Sequence, residues 1–184
     1  MFQKSVFPIL VAILLLTCLN QSSHAQATIT KHNFDFGTGV GLDYGGIFGV
    51  KMAVIMPWPY VSVFGSAGIQ LVGFAWNMGA TFHIVPETSK SVFRPNIKLM
   101  YGVNRVTKVT GTTKYDKMFT GFTPGLGLEF MFGRKKANGF DFDLNIPIQG
   151  KAFYDQVQKM KDDPEVGTVS MMPVAFSIGF HHEF

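Results

Sequence analysis

The chain is short of three things, and each shortage excludes something. It has one cysteine, Cys18, in 184 residues. No disulfide can form within it, and no multi-cysteine metal site. Charged residues make up 15% of the chain, against roughly 25% in soluble domains. Beyond residue 25, no apolar stretch reaches the ~20 residues that a membrane-spanning helix needs. The net charge of +4 comes without an arginine-rich run or a base-stacking motif, so nucleic acid is not an expected partner.

The one long apolar run lies at the start. Residues 1–5 carry a single positive charge, Lys4. Residues 6–19 are apolar apart from Pro8, Thr17 and Cys18, and residues 20–25 are polar and end Ser23-His24-Ala25. This is the three-part pattern of a cleaved secretory signal peptide. The predicted boundary follows Ala25, with Ala27 as a second candidate. The run is too short for a membrane anchor. Thr17 fits poorly the small residue that lipoprotein processing prefers before a cysteine. Removing residues 1–25 takes the cysteine with it and leaves residues 26–184, the length of one domain.

What that domain has in abundance is glycine and phenylalanine, 20 and 19 in the whole chain. They are arranged with a period of two, the signal of β-strands. Phe122, Pro124, Leu126, Leu128, Phe130 and Phe132 alternate with Thr123, Gly125, Gly127, Glu129 and Met131. Phe140, Phe142, Leu144, Ile146 and Ile148 alternate with Asp141, Asp143 and Asn145. Val174, Phe176, Ile178, Phe180 and Phe184 alternate with Ala175, Ser177, Gly179, His181 and Glu183, with His182 interrupting the apolar face. Similar runs begin at Phe34 (extending to Leu42), Phe48, Phe74 and Ile97. The register of residues 60–71 is ambiguous, because Phe64 sits among small residues.

Eight segments result, most near the 9–11 residues of a tilted strand crossing a bilayer. Breakers separate them at residues 43–46, 57–59, 73, 86–95 and 133–139. The two longest connections, 105–120 and 150–167, fall on the same side of an up-and-down sheet. That is the asymmetry of outer-membrane barrels. The polar face is mostly Gly, Ala, Ser and Asn. Small residues suit the cramped lumen of an eight-stranded barrel, which side chains must fill. Trp58, Tyr60, Trp76, Tyr101 and Phe132 lie where strand ends form aromatic girdles.

With its signal peptide, eight alternating segments and terminal Phe-Ser-Ile-Gly-Phe-His-His-Glu-Phe, the chain resembles the small outer-membrane β-barrels of the OmpA/OmpX-like type. The resemblance implies an eight-stranded antiparallel up-and-down transmembrane barrel in the bacterial outer membrane, formed by residues 26–184. It implies that Phe176, Ile178, Phe180 and Phe184 are the insertion signal read by the barrel-assembly machinery, with His182 departing from the pattern. A peptidoglycan-binding region after the barrel is not expected.

The charged residues of the polar faces are Asp35, Lys51, Lys98, Glu129, Asp141, Asp143 and Glu183. Their expected role is a structural lumen network in which lysines neutralise acids, because isolated buried charges are too costly to keep. No spacing singles out a reactive pair. The adjacent His181 and His182 point to opposite faces of a strand and cannot converge on one ion. No catalytic residue, metal site or cofactor is therefore expected. Residues 151–164 place Phe153, Val157 and Met160 at helical spacing. A solvated loop with anchoring side chains is expected there, a short surface helix being the alternative. Arg105, Lys108, Lys114 and Lys117 make the other long connection basic. Lipopolysaccharide phosphates and outer-membrane lipid are its candidate neighbours, with ordinary solubility as the plain explanation. The expected function is envelope structure, surface interaction or assembly support without catalysis. The alternatives are a soluble periplasmic barrel holding a lipophilic ligand and a lipid-modifying barrel enzyme.

Overall fold

The computed structural model describes residues 33–109, 112–166 and 172–184. The signal segment, residues 1–25, lies outside the described residues. Eight strands follow in chain order: β1 (Phe34–Gly41), β2 (Gly46–Ile55), β3 (Val61–Gln70), β4 (Gly73–His83), β5 (Phe93–Val109), β6 (Thr112–Phe132), β7 (Asn138–Asn145) and β8 (Ala175–Glu183). Each pairs antiparallel with the next, and β1 closes on β8 through a register running from Asp35↔Glu183 to Val40↔Ile178. The molecule is a closed, up-and-down, eight-stranded barrel. Three short connections, β2–β3, β4–β5 and β6–β7, share one end with the start of β1 and the end of β8. This is the turn end, and the opposite one is the loop end.

The alternation read from the sequence maps onto the two faces of the wall. Phe142, Phe176 and Ile178 are exposed on the outside, while Glu129, Asp143 and Ser177 are buried inside. The ambiguous strand settles with Ser62, Phe64 and Ser66 inward and Val63, Gly65 and Ala67 outward. Phe64 thus faces the lumen, where it packs with Leu42, Ala53 and Met100. Those small residues on β3 are the outward set, which is why they blurred the pattern.

Four expectations are corrected. Residues 105–120 are not a loop: β5 and β6 run on through Val109 and from Thr112, because the β-branched Val106, Thr107, Val109, Thr112 and Thr113 favour extended backbone. The connection at 86–95 is shorter than read, since β5 starts at Phe93 and carries Pro95 opposite Leu128. Proline lacks only its own N–H. Its carbonyl still accepts from the Ile84 amide at 3.0 Å. Leu42 is not on the outer face. Gly41, at φ +104°, turns the chain so that Leu42, Asp43 and Tyr44 form a 3-10 turn folded into the lumen. Finally, residues 151–164 are not a solvated loop, because Lys151–Lys161 form a helix, α1.

Helix α1 buries Phe153, Val157 and Met160, three positions on one stripe. Phe153 and Val157 pack on Phe119 of β6, with the two rings 5.3 Å apart and edge to face. Phe119 and Tyr115 share the alternation of Thr123, Gly125 and Glu129 along β6, so they project to the lumen side of the extended hairpin. The helix therefore lies over the loop end of the barrel. Lys114 and Tyr115 bind Asp163 just beyond the helix, the ammonium at 2.7 Å, and the Arg105 guanidinium donates to the Met172 carbonyl.

Two predictions follow from this cap. Phe153→Ala should detach the helix without opening the barrel. Trypsin would then cut at Lys159 or Lys161 far faster, with the heat-dependent gel mobility of the barrel unchanged. Hydrogen bonds from Lys114, Tyr115 and the Glu165 amide hold the Asp163 carboxyl down at about 2, below its ordinary 3.8. A lowered acid contributes fully above its ordinary value and loses its contribution as pH falls through the folded one. Amide exchange in residues 151–163, corrected for intrinsic rates, should hold constant from neutral pH to about 4 and rise toward pH ~2.

Candidate functional site

The inside of the barrel holds the chain's densest chemistry. At the turn end Arg94 is the hub. Its Nε lies 3.0 Å from Glu129, one terminal nitrogen pairs with Glu183, and the other donates to the Glu87 carbonyl at 2.9 Å. Asn96 donates to Glu129 at 3.1 Å. The imidazole of His83 meets the Glu87 carboxylate at 2.7 Å and the Ser62 hydroxyl at 3.0 Å. The segment carrying Glu87 lies at this end, tied by its amide to the Pro59 carbonyl at 3.1 Å.

Deeper in, Asp141 is shared. The Tyr44 hydroxyl donates to it, Lys51 pairs with it at 2.6 Å, and His181 lies 3.4 Å from it and 3.2 Å from Asp35. Lys98 bridges two acids, Asp43 and Asp143, at 2.6 Å each. Asn145 donates to the other oxygen of Asp43 at 2.7 Å. The inward turn between β1 and β2 thus reaches side chains on β5, β7 and β8. The Tyr44 ring has room because its neighbours are glycines. A methyl group on Gly39 would stand 2.8 Å from the ring, and Gly37 and Gly179 line it as well. Above this layer, Leu42, Ala53, Phe64 and Met100 make an apolar plug.

The structure places all of Asp35, Lys51, Lys98, Glu129, Asp141, Asp143 and Glu183 inside, Asp35 beside the His181 imidazole and the other six in ion pairs with a lysine, an arginine or an acid. Sequence reasoning missed Asp43, Tyr44 and Arg94, all read as parts of breakers between strands. For Arg94 a signal existed: it keeps the spacing of two with Asn96 and Lys98. For Asp43 there was none, because its position depends on the positive φ of Gly41.

A serine, a histidine and acids in one cluster raise the question of nucleophilic catalysis. The geometry is unlike a relay. Ser62 and Glu87 both address the same ring nitrogen, Nε2, whereas a triad sets the hydroxyl and the acid on opposite nitrogens. The other nitrogen lies 3.6 Å from Glu129, and Ser62 is buried. Among the described residues no group of three His, Cys, Asp or Glu is placed to hold a metal ion. What the arrangement does is compensate charge. Acids and bases interleave so that Asp43, Glu129, Asp141, Asp143 and Glu183 each face a lysine or arginine, while Asp35 and Glu87 face the imidazoles of His181 and His83, as costly buried charge favours.

Outside, the relation of polar and apolar is inverted. Phe48, Phe74, Phe122, Leu126 and Phe176 are exposed, Phe176 at 70%. Aromatic rings gather at both rims. Trp58, Tyr60 and Phe82 touch at 5.5–6.5 Å at the turn end, as do Phe132, Phe140 and Phe180 at 5.3–6.1 Å. Trp76, Tyr101 and Phe122 form the corresponding group toward the loop end.

Fold and lumen together define a closed eight-stranded barrel with a polar, filled interior and an apolar exterior, the architecture that the resemblance to OmpA/OmpX-like barrels implied. The backbone structure of the Yersinia pestis outer membrane protein Ail, determined in a phospholipid bilayer nanodisc, aligns with 84% of this chain and 100% of its own, at 11% identity and a TM-score of 0.38. No protein-family model and no curated protein sequence matches the chain.

Removing one partner of a buried pair leaves a bare charge, at a cost of about 3–5 kcal/mol. Lys98→Met strands two carboxylates at once and should lower the unfolding free energy of the barrel, read by urea titration, by that order. Adding Asp43→Asn and Asp143→Asn to it should restore much of the loss. A single variant as stable as the wild type would show that the network does not carry stability.

Proposed function

We propose that this protein is a non-catalytic integral protein of the bacterial outer membrane, exported by its signal segment, with a role in envelope structure, surface interaction or assembly support. The observation that carries the reading is the inversion of the barrel. Contiguous apolar patches beyond a few hundred Å² are rare on soluble monomers. Here large apolar side chains stand exposed on every strand, between two aromatic rims. The 8–11 residues of β1–β4, β7 and β8 suit the span of a tilted strand. The filled lumen favours this over a diffusion pore, and its charge favours it over a carrier of lipophilic ligands. On this reading the extended hairpin and α1 stand on the outer side, next to lipopolysaccharide. The turn end faces the periplasm, and the barrel-assembly machinery delivers the chain by reading Phe176, Ile178, Phe180 and Phe184.

The reading is tested by fractionation. The protein should sediment with outer membranes and stay there through alkaline extraction, and release into the wash would sink the proposal. The insertion signal has a separate test. Phe184 follows the end of β8 at the turn-end rim and packs on Phe34 at 6.3 Å. Lysine on the lipid face costs about 2–4 kcal/mol at the midplane and about 0–1 near the interface. Phe184→Lys should therefore leave assembled protein as stable as before while reducing the amount that reaches the membrane. Ile178→Lys should lower the stability of the barrel itself. Normal delivery of the Phe184 variant would remove the signal role from that residue.

A further inference from the structure

The exposed charges are not shared evenly between the two ends. Among the described residues, every exposed side-chain carboxylate lies at the loop end: Asp155, Asp162 and Glu165. At the turn end the acids Asp35, Glu87, Glu129 and Glu183 all have buried side chains turned into the lumen network. What that end exposes is basic: Lys90 on the β4–β5 connection, and Arg134 and Lys135 on the β6–β7 turn. These three are neighbours. Phe93 pairs with Phe130, and the Val92 carbonyl accepts from the Met131 amide at 2.6 Å, so β5 and β6 run side by side to the rim. Lys90 precedes this paired stretch by two residues, and Arg134 follows Phe132 by two. No ion pair engages any of the three among the described residues.

Directly below them the wall is aromatic. Phe93 and Phe130 touch at 5.4 Å, Phe132 and Phe140 at 5.3 Å, and Phe140 and Phe180 at 5.8 Å, on β5 to β8. The other side of the same rim, around Pro57, Trp58, Pro59 and Tyr60, has no charge at all. One arc therefore combines an apolar ring face on β5 to β8 with three exposed cations on the connections just beyond those strands. A molecule complementary to both halves has anionic oxygens joined to hydrocarbon.

We propose that the arc formed by Lys90, Arg134 and Lys135 over the β5–β8 phenylalanines is a binding site for anionic phospholipid in the leaflet at the turn end. The phosphate sits among the three cations and the acyl chains lie along the rings. The inference rests on the membrane reading above and adds to it a lipid class and a position. It also gives the buried acids a second consequence: by pairing inside, they leave no acidic side chain beside Lys90, Arg134 and Lys135 to repel phosphate.

The test uses the full mature chain refolded in phosphatidylcholine vesicles with and without phosphatidylglycerol. Native mass spectrometry of the released barrel reads the retention of one lipid over the other. The wild type should prefer phosphatidylglycerol, and high salt should weaken the preference. A cation near a lipid surface contributes about fivefold in binding. The triple variant Lys90→Gln/Arg134→Gln/Lys135→Gln should thus lose at least about fivefold of the preference. Lys108→Gln/Lys117→Gln, at the loop end, should keep it. Equal preference in the triple variant and the wild type overturns the site, and so does an equal loss in the loop-end variant. Displacement of the lipid by glycerol 3-phosphate would reassign the site to free phosphate and overturn the lipid assignment. Insertion into pure phosphatidylcholine, read by heat-dependent gel mobility, stands apart. All three proteins should pass it, and failure there strikes the membrane reading instead.

Discussion

A peptide group facing hydrocarbon has no water to bond, and each one left unpaired costs several kcal/mol. On the membrane reading, closure answers that constraint: β1 pairs with β8 from Asp35↔Glu183 to Val40↔Ile178, so no strand edge is left open. Once the wall is closed, everything else is confined. The outer face must be apolar, and the inner face must fill a narrow cylinder. Charges placed inside must find partners within it.

The lumen meets the last two demands with one device, the inward turn at Leu42, Asp43 and Tyr44. Its three side chains do different work: Leu42 joins the apolar plug, Asp43 receives Lys98, and Tyr44 lies on a glycine floor and binds Asp141. The glycines that dilute the polar face in the sequence are thus the space into which the tyrosine fits. Composition and packing are two views of one requirement, that a wall of small residues needs a large side chain from elsewhere to fill it.

Much of this was legible from period-two alternation, because each strand has one face in each environment. The number of strands, the inward facing of Asp35, Glu129, Asp141, Asp143 and Glu183, and the separation of His181 from His182 follow from that rule alone. The places where reading failed share a physical cause. Asp43 and Tyr44 are turn residues by type, and only the positive φ of Gly41 sends them inward. Arg94 stands beside a proline that reads as a breaker, yet a strand tolerates Pro95 because its carbonyl still bonds. Residues 105–120 looked like a loop by charge, but β-branched side chains decide extended structure there. Helix α1 showed its stripe, and only the tertiary contact with Phe119 makes three apolar residues sufficient.

The Asp43 and Tyr44 contacts also bear on the order of events. These residues lie near the start of the barrel sequence, yet their partners Asp141, Asn145 and Ser177 belong to the last two strands. Such pairings are separated by 97 to 134 residues of sequence and belong, with the β1–β8 seam, to the late contacts. A chain that has laid down its first six strands still carries an acid and a phenol without them. The last hairpin supplies the missing neighbours and the final seam in the same step. Completion is therefore cooperative: a sheet lacking β7 and β8 is deficient both at its edge and at its centre, and so makes a poor resting point on the way to the barrel.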